Sequence, residues 1–179
     1  MNITNDRSTI HKYQNQIVKL CKDNFNLVNK LYDQILAKYN TKVKTPLPNY
    51  KEQVLLYAVQ NIGCIYIAID HGRVIGLSLS YPTKNNAAYI AELHVIPQYR
   101  SKGIGKLLLI NNIKCLSKKY PSYPIEISVA INNRQALQMY IKTGFSKYKN
   151  IYYCYKSNKW GYDKSGPDCV LLAFKLSYR

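Results

Sequence analysis

The sequence predicts an α/β (α+β) fold: a mixed central β-sheet of about six to seven strands, flanked by helices on both faces. Three observations predict it. Segments with apolar residues near a 3.6-residue period open the chain, three β-rich segments separated by turn signals follow, and helix and strand then alternate to the end. A hairpin run that feeds an alternation needs both antiparallel and parallel pairing. At 179 residues the chain suits one domain, expected to span 1–179.

The elements follow in order. Residues 13–22 read as a short strand carrying Ile17, Val18 and Leu20. Residues 24–39 place Phe25, Leu27, Val28, Leu31, Ile35 and Leu36 on one helical face. The prolines Pro46 and Pro48 stop that helix, and 50–61 can form a second. Residues 64–70 form a strand by β-branched content, with His71-Gly72 as the turn and 73–81 as the return strand. Asn85-Asn86 turns the chain into a third strand, 87–96, stopped by Pro97. Then come a helix over 103–119, a strand over 125–130 and a helix over 132–143 closed by Gly144. Strands over 145–155 and 170–176 end the order.

Composition bounds the function. A hydrophobic fraction of 47 % with 20 % charged residues is that of a globular chain. The five cysteines include no CxxC pair, so neither a zinc ribbon nor a secreted disulfide framework is expected, and no metal. The first residues are polar, and the most apolar run, 62–69, is far too short to span a bilayer. A cytoplasmic protein without a membrane partner is expected. The net charge of +17, from 26 Lys and Arg against 9 Asp and Glu, admits a polyanion binder. It also follows from a chain rich in Lys, Asn, Ile and Tyr, all with A/T-rich codons, and the lysines form no block. Either way an anionic ligand is electrostatically welcome. Only three glutamates, Glu52, Glu92 and Glu126, are available as carboxylate bases besides the aspartates.

The most informative stretch runs from Ile90 to Leu107: a strand, a polar turn, two glycines (Gly103 and Gly105) and an apolar helix. The first amides of a helix lack intrahelical partners and its dipole favours anions there. Glycines let a phosphate approach that backbone, and Arg100, Lys102 and Lys106 add positive charge. A phosphate or pyrophosphate site is the functional reading; a glycine-shaped tight turn is the bland one. A P-loop is disfavoured, because Arg100 replaces its first glycine and Leu107 its Ser/Thr. A dinucleotide fingerprint lacks its third glycine, where Leu108 stands.

Arg100-x-x-Gly103-x-Gly105 after a strand resembles the Q/R-x-x-G-x-G/A signature of the GNAT superfamily of N-acetyltransferases. Asn132-Asn133-Arg134-Gln135-Ala136-Leu137-Gln138-Met139-Tyr140 followed by Gly144-Phe145 resembles that superfamily's second motif, with Asn132 resembling its asparagine. The likeness in element order covers roughly residues 13 to 176. It implies a GNAT-type fold and acetyl transfer from acetyl-CoA, as co-substrate, to a primary amine by direct attack in a ternary complex. It further implies that the backbone of Arg100, Ser101, Lys102, Gly103, Ile104, Gly105 and Lys106 holds the pyrophosphate. The pantetheine arm then runs between strands 87–96 and 125–130, bonding near His94 and Val95, with Asn132 and Ala136 alongside. Asn132 is equally suited to cap the helix. Tyr140 aligns with the tyrosine that protonates the departing thiolate, a phenol being a plausible donor there.

Some members of the superfamily use a glutamate before the glycine turn as general base. Glu92 fits, with His94 on the same strand face by period-two alternation, and Glu126 is the less favoured neighbour. The acceptor, a small-molecule or peptide amine, is chosen in such folds by segments matching 38–50 and 147–168. The second is rich in Tyr148, Tyr152, Tyr153, Tyr155, Trp160 and Tyr162, with Asp163 and Asp168 as its carboxylates. A homodimer is left open. The rivals are an acyl-CoA-binding protein without catalysis and, less favoured, a basic nucleic-acid-binding module.

Overall fold

The computed structural model describes residues 16–21, 26–31, 56–57, 60–151 and 169–174. Its strands are β1 (Ile17–Lys19), β2 (Cys64–Asp70), β3 (Arg73–Pro82), β4 (Ala88–Val95), β5 (Ile125–Ala130), β6 (Ser146–Ile151) and β7 (Cys169–Phe174). Its helices are α1 (Asn26–Leu31), α2 (Ile104–Lys119) and α3 (Arg134–Thr143), with a 3-10 turn at Pro97–Tyr99. One sheet holds all seven strands in the order β1-β2-β3-β4-β5-β7-β6. Only β4 and β5 pair in parallel, since α2 carries the chain across between them.

Alternation along β2 sends its side chains to two cores. Ile65 and Ile67 join Leu77 and Leu79 of β3 against Leu27 of α1 and Tyr57. Ala68 and Ile75 face the other way, onto Ile104, Leu107 and Leu108 of α2. Farther along, Leu109, Ile113 and Leu116 of α2 pack with Ile125, Ile127 and Val129 of β5, and with Tyr140 and Phe145 at α3. Helices therefore cover both faces. The expected helix over 24–39 lies within the described residues only at α1. The loop at 45–49, most of the helix over 50–61 and residues 152–155, 175 and 176 lie outside them.

Turn chemistry explains the boundaries. His71 and Gly72, at φ 45° and 72°, suit a type I′ hairpin between Asp70 and Arg73. α3 ends in a Schellman pattern: Gly144 sits at φ 108°, its N–H bonds the Ile141 carbonyl and the Phe145 N–H bonds the Tyr140 carbonyl. At its other end the cap is Asn133, not Asn132: the Asn133 side chain accepts from the Ala136 N–H at 3.2 Å. A run of two asparagines leaves that choice open until the backbone path is fixed.

A buried polar cluster pins α2 to the sheet. Asn112, Ser78 and Ser80 are all fully buried. Ser80 Oγ donates to Asn112 Oδ1 at 2.5 Å, and Asn112 Nδ2 donates to Ser78 Oγ at 2.8 Å. One turn on, Cys115 is disulfide-bonded to Cys64 of β2, a pairing that the spacing of the cysteines does not announce. The two are 51 residues apart and meet only because α2 crosses β2. The Lys119 ammonium completes the fastening, donating to the Asn61 side chain at 2.8 Å and the Gly63 carbonyl at 3.0 Å.

Candidate active site

The turn between β4 and α2 is built to expose backbone amides. Its 3-10 start is closed by the Tyr99 N–H on the Ile96 carbonyl and the Arg100 N–H on the Pro97 carbonyl. Arg100 Nε then donates back to the Val95 carbonyl at 2.9 Å. Ser101 at φ 61° and Gly103 at φ 79° turn the chain sharply enough to start α2 without a side-chain cap. The first amides of the helix consequently have no intrahelical partner. Arg100, Ser101, Lys102 and Lys106 are exposed around them, while the Ile104 side chain is buried, so Ile104 can offer only its amide.

Glycine at 105 is not demanded by the protein's own packing. A Cβ there would meet Met139 Sδ at 3.6 Å and Val95 Cγ2 at 3.7 Å, ordinary contacts. Gln135 of α3 donates to Ser101 Oγ at 3.2 Å, tying the second helix to the same turn. Asn132 lies exposed beside it, its carbonyl accepting from the Arg134 N–H at 2.9 Å. The Ala136 amide is engaged by Asn133, so Ala136 could line a ligand only with its methyl group. Arg100, Lys102 and Lys106 carry the positive charge of this mouth. A doubly anionic pyrophosphate fits both the amides and the cations.

Below the turn the sheet opens. Parallel pairing between β4 and β5 covers Ala88 with Ile125, Tyr89 with Glu126 and Ile90 with Ile127, and stops there. A register shift between Leu79 and Ser80 leaves Ala91 as an extra residue in β4. Such a bulge bends a strand and ends its pairing. Glu92 to Val95 and Ser128 to Ala130 thus border a seam that neither strand closes, and an extended arm can enter it. Tyr89 of β4 bonds Ser128 Oγ of β5 at its closed end.

Glu92 lies opposite Leu79 and His94 opposite Leu77, so both share one sheet face. Burial pushes the Glu92 carboxyl up to about 7. Tyr140 is anchored among Val129, Phe145 and Leu172. Burial raises its phenol far above the ordinary value, and the nearby charges of Tyr89 and Glu92 raise it further. Glu92 thus lies on the β4 side of the seam and Tyr140 packs with Val129 on the β5 side, close enough for the Glu92 charge to act on the phenol. Glu126 sits opposite Tyr89, in the paired part of β4 and β5.

Three tyrosines were not among the sequence candidates. Tyr81 stacks on Tyr57 with ring centroids 5.4 Å apart and meets Tyr89 at 6.1 Å. Tyr81 is itself raised by burial, then by Tyr89, Tyr57 and Glu92, so this aromatic row runs up to the carboxyl. Strict alternation from Glu92 would send Tyr89 to the other face. The bulge at Ala91 reverses it, and no residue type in the strand announces that bulge. The Lys38–Tyr50 segment and residues 152–168, expected to choose the acceptor, lie outside the described residues.

Comparison with known proteins agrees with this geometry. The sequence model described as the acetyltransferase (GNAT) family matches residues 28–145. An N-alpha-acetyltransferase of Saccharolobus solfataricus is 26 % identical over 167 residues, covering 85 % of this chain and 93 % of that protein. A second N-alpha-acetyltransferase, from Sulfurisphaera tokodaii, is 28 % identical, but the match spans only 48 % of this chain and 52 % of that protein. Among solved structures, the Escherichia coli ribosomal-protein-S18-alanine N-acetyltransferase superposes with a TM-score of 0.65 over 91 % of this chain and 94 % of its own, at 16 % identity. A Bacillus anthracis chain described as a streptothricin acetyltransferase, solved with acetyl coenzyme A, is 27 % identical with a TM-score of 0.54, covering 64 % of this chain and 62 % of its own. An amide-lined turn over an opened β4–β5 seam, on a seven-stranded mixed sheet, is thus met by a family match across most of the sequence: the chain belongs to the GNAT family of acetyltransferases, which move the acetyl group of acetyl-CoA to an amine.

Proposed function

We propose that this chain transfers the acetyl group of acetyl-CoA to the α-amine of a polypeptide, by direct attack within a ternary complex. The observation that carries the reading is the amide-lined turn above an opened β4–β5 seam, with Glu92 on its β4 side and Tyr140 packed with Val129 on its β5 side. The names of the archaeal relatives support a peptide α-amine over other amines. A cytoplasmic location belongs to the same reading.

In this mechanism the amides and cations of Arg100 to Lys106 hold the pyrophosphate. Backbone N–H groups near His94 and Val95 polarise the thioester carbonyl and stabilise the oxyanion that forms on attack. Glu92, ionised above about pH 7, takes the proton that the amine loses; a peptide α-amine, with a pKa of about 8, is well matched to it. Tyr140 holds a hydrogen bond on the sulfur as it leaves. Its raised pKa makes complete transfer to a thiolate of pKa about 8.5 uphill, so its main contribution is that hydrogen bond.

The test uses one peptide bearing a free α-amine and an internal lysine. The wild-type protein is expected to acetylate the α-amine. In Tyr140→Phe, kcat should fall about 10²-fold, the scale of one hydrogen-bond donor lost from developing charge, while the Kd for acetyl-CoA, read by calorimetry, stays within about twofold. Acetyl found on the lysine side chain alone would overturn the α-amine assignment. Unchanged turnover would remove Tyr140 from the mechanism.

A further inference from the structure

Asp70 closes β2 beside the hairpin turn and is only 6 % exposed. Its Oδ2 accepts a 2.9 Å hydrogen bond from the Tyr99 hydroxyl. Its Oδ1 is buried and has no hydrogen bond among the described residues, with Nε2 of the exposed His71 imidazole 3.7 Å away. Burying a carboxylate with so little compensation costs stability, which directs attention to what the bond to Tyr99 achieves.

Tyr99 is the last residue of the 3-10 turn that leads into the amide-lined bend. Its ring packs with Ile104, Leu107 and Leu108 at the start of α2. The Lys102 ammonium stands over the same ring, 4.9 Å from its centroid. A phenyl face holds a cation without neutralising it, as a carboxylate would. The acceptor oxygen of Asp70 thus fixes the phenol, and the phenol, rather than the carboxyl, orients the lysine. The bend being fixed contains Ser101 at φ 61°, a conformation that a non-glycine residue holds only when the surroundings impose it.

We propose that Asp70 and Tyr99 are positioning residues for the acyl donor: through their hydrogen bond the β2–β3 hairpin holds the Arg100–Lys106 turn and Lys102 in the arrangement that receives the pyrophosphate. This rests on the donor-site reading above. The pair touches neither the acceptor amine nor the reacting carbonyl, so its effect falls on donor affinity and not on the chemical step.

The experiment measures the Kd for acetyl-CoA by calorimetry, and KM and kcat at saturating peptide. Tyr99→Phe keeps the ring but removes the hydroxyl. It should raise Kd and KM about 5–10-fold, the scale of one hydrogen bond, with kcat within about twofold. Asp70→Asn keeps an acceptor oxygen and should stay within about twofold of wild type. Asp70→Ala should repeat Tyr99→Phe, and the double variant should be no weaker than either alone, because both remove one interaction. Wild-type Kd and KM in Tyr99→Phe, or a loss confined to kcat, would overturn the inference while leaving the donor site standing. A wild-type protein that does not bind acetyl-CoA saturably would overturn the donor-site reading and this inference together.

Discussion

Glu92→Gln is expected to lower kcat/KM for acetyl transfer by about 10²–10³-fold, the usual contribution of a positioned general base, while making the protein more stable at alkaline pH. The two effects have one cause. Burial raises the Glu92 carboxyl from 4.5 to about 7, so the folded state favours the protonated form. For a raised carboxyl the contribution to stability is fully present below the unfolded pKa and is lost as pH rises through the folded one. Wild type therefore loses stability between roughly pH 4.5 and 7, by about 3 kcal/mol at most. The glutamine variant, which cannot ionise, avoids that loss. In the wild-type rate profile the same titration appears as a rise through about pH 7, and that rise should vanish in Glu92→Gln, leaving only the titration of the amine. Thermal melts at pH 5 and pH 8 beside initial rates read both effects. A variant that is inactive and also less stable at pH 8 would point to a packing role instead.

Gly63→Ala should unfold the protein far below the wild-type midpoint. A Cβ at this position would lie 2.1 Å from the Ser80 carbonyl oxygen and 3.2 Å from its carbon. Both obstacles are backbone. Ser80 cannot withdraw, because it is fully buried and its hydroxyl bonds the Cys64 carbonyl and Asn112. Cys64 in turn is joined to α2 through Cys115. The expected loss is about 3 kcal/mol or more, or roughly 6–12 °C for a chain of this size. Gly72→Ala is the control: no atom of the described residues lies within 4 Å of its Cβ position, leaving left-handed strain of about 1 kcal/mol at φ 72°. Equal losses in the two variants would contradict the clash at Gly63.

The sheet was largely legible in the sequence because its strands are bounded by chemistry that acts locally. Cys64–Asp70 and Ile125–Ala130 fall where β-branched runs meet His71-Gly72 and the asparagines before α3. The amide-lined turn was legible for the same reason, since Gly103 and the cations flanking it lie within one turn of chain. What escaped depends on contacts between distant segments. Cys64 and Cys115 meet only through helix-on-sheet packing. Tyr89 joins the Glu92 face through a one-residue bulge that shifts alternation without marking the sequence. The cap falling on Asn133 rather than Asn132 is a one-residue difference between two equally suitable side chains.

The most direct test of the account follows the released CoA thiol and the acetylated product together, with acetyl-CoA and a peptide bearing a free α-amine. The account predicts thiol release that needs the peptide and matches its acetylation one for one. Acetyl-CoA that binds and stabilises the protein, with no thiol released and no peptide acetylated, would contradict it and leave a GNAT fold that binds its acyl donor without catalysis.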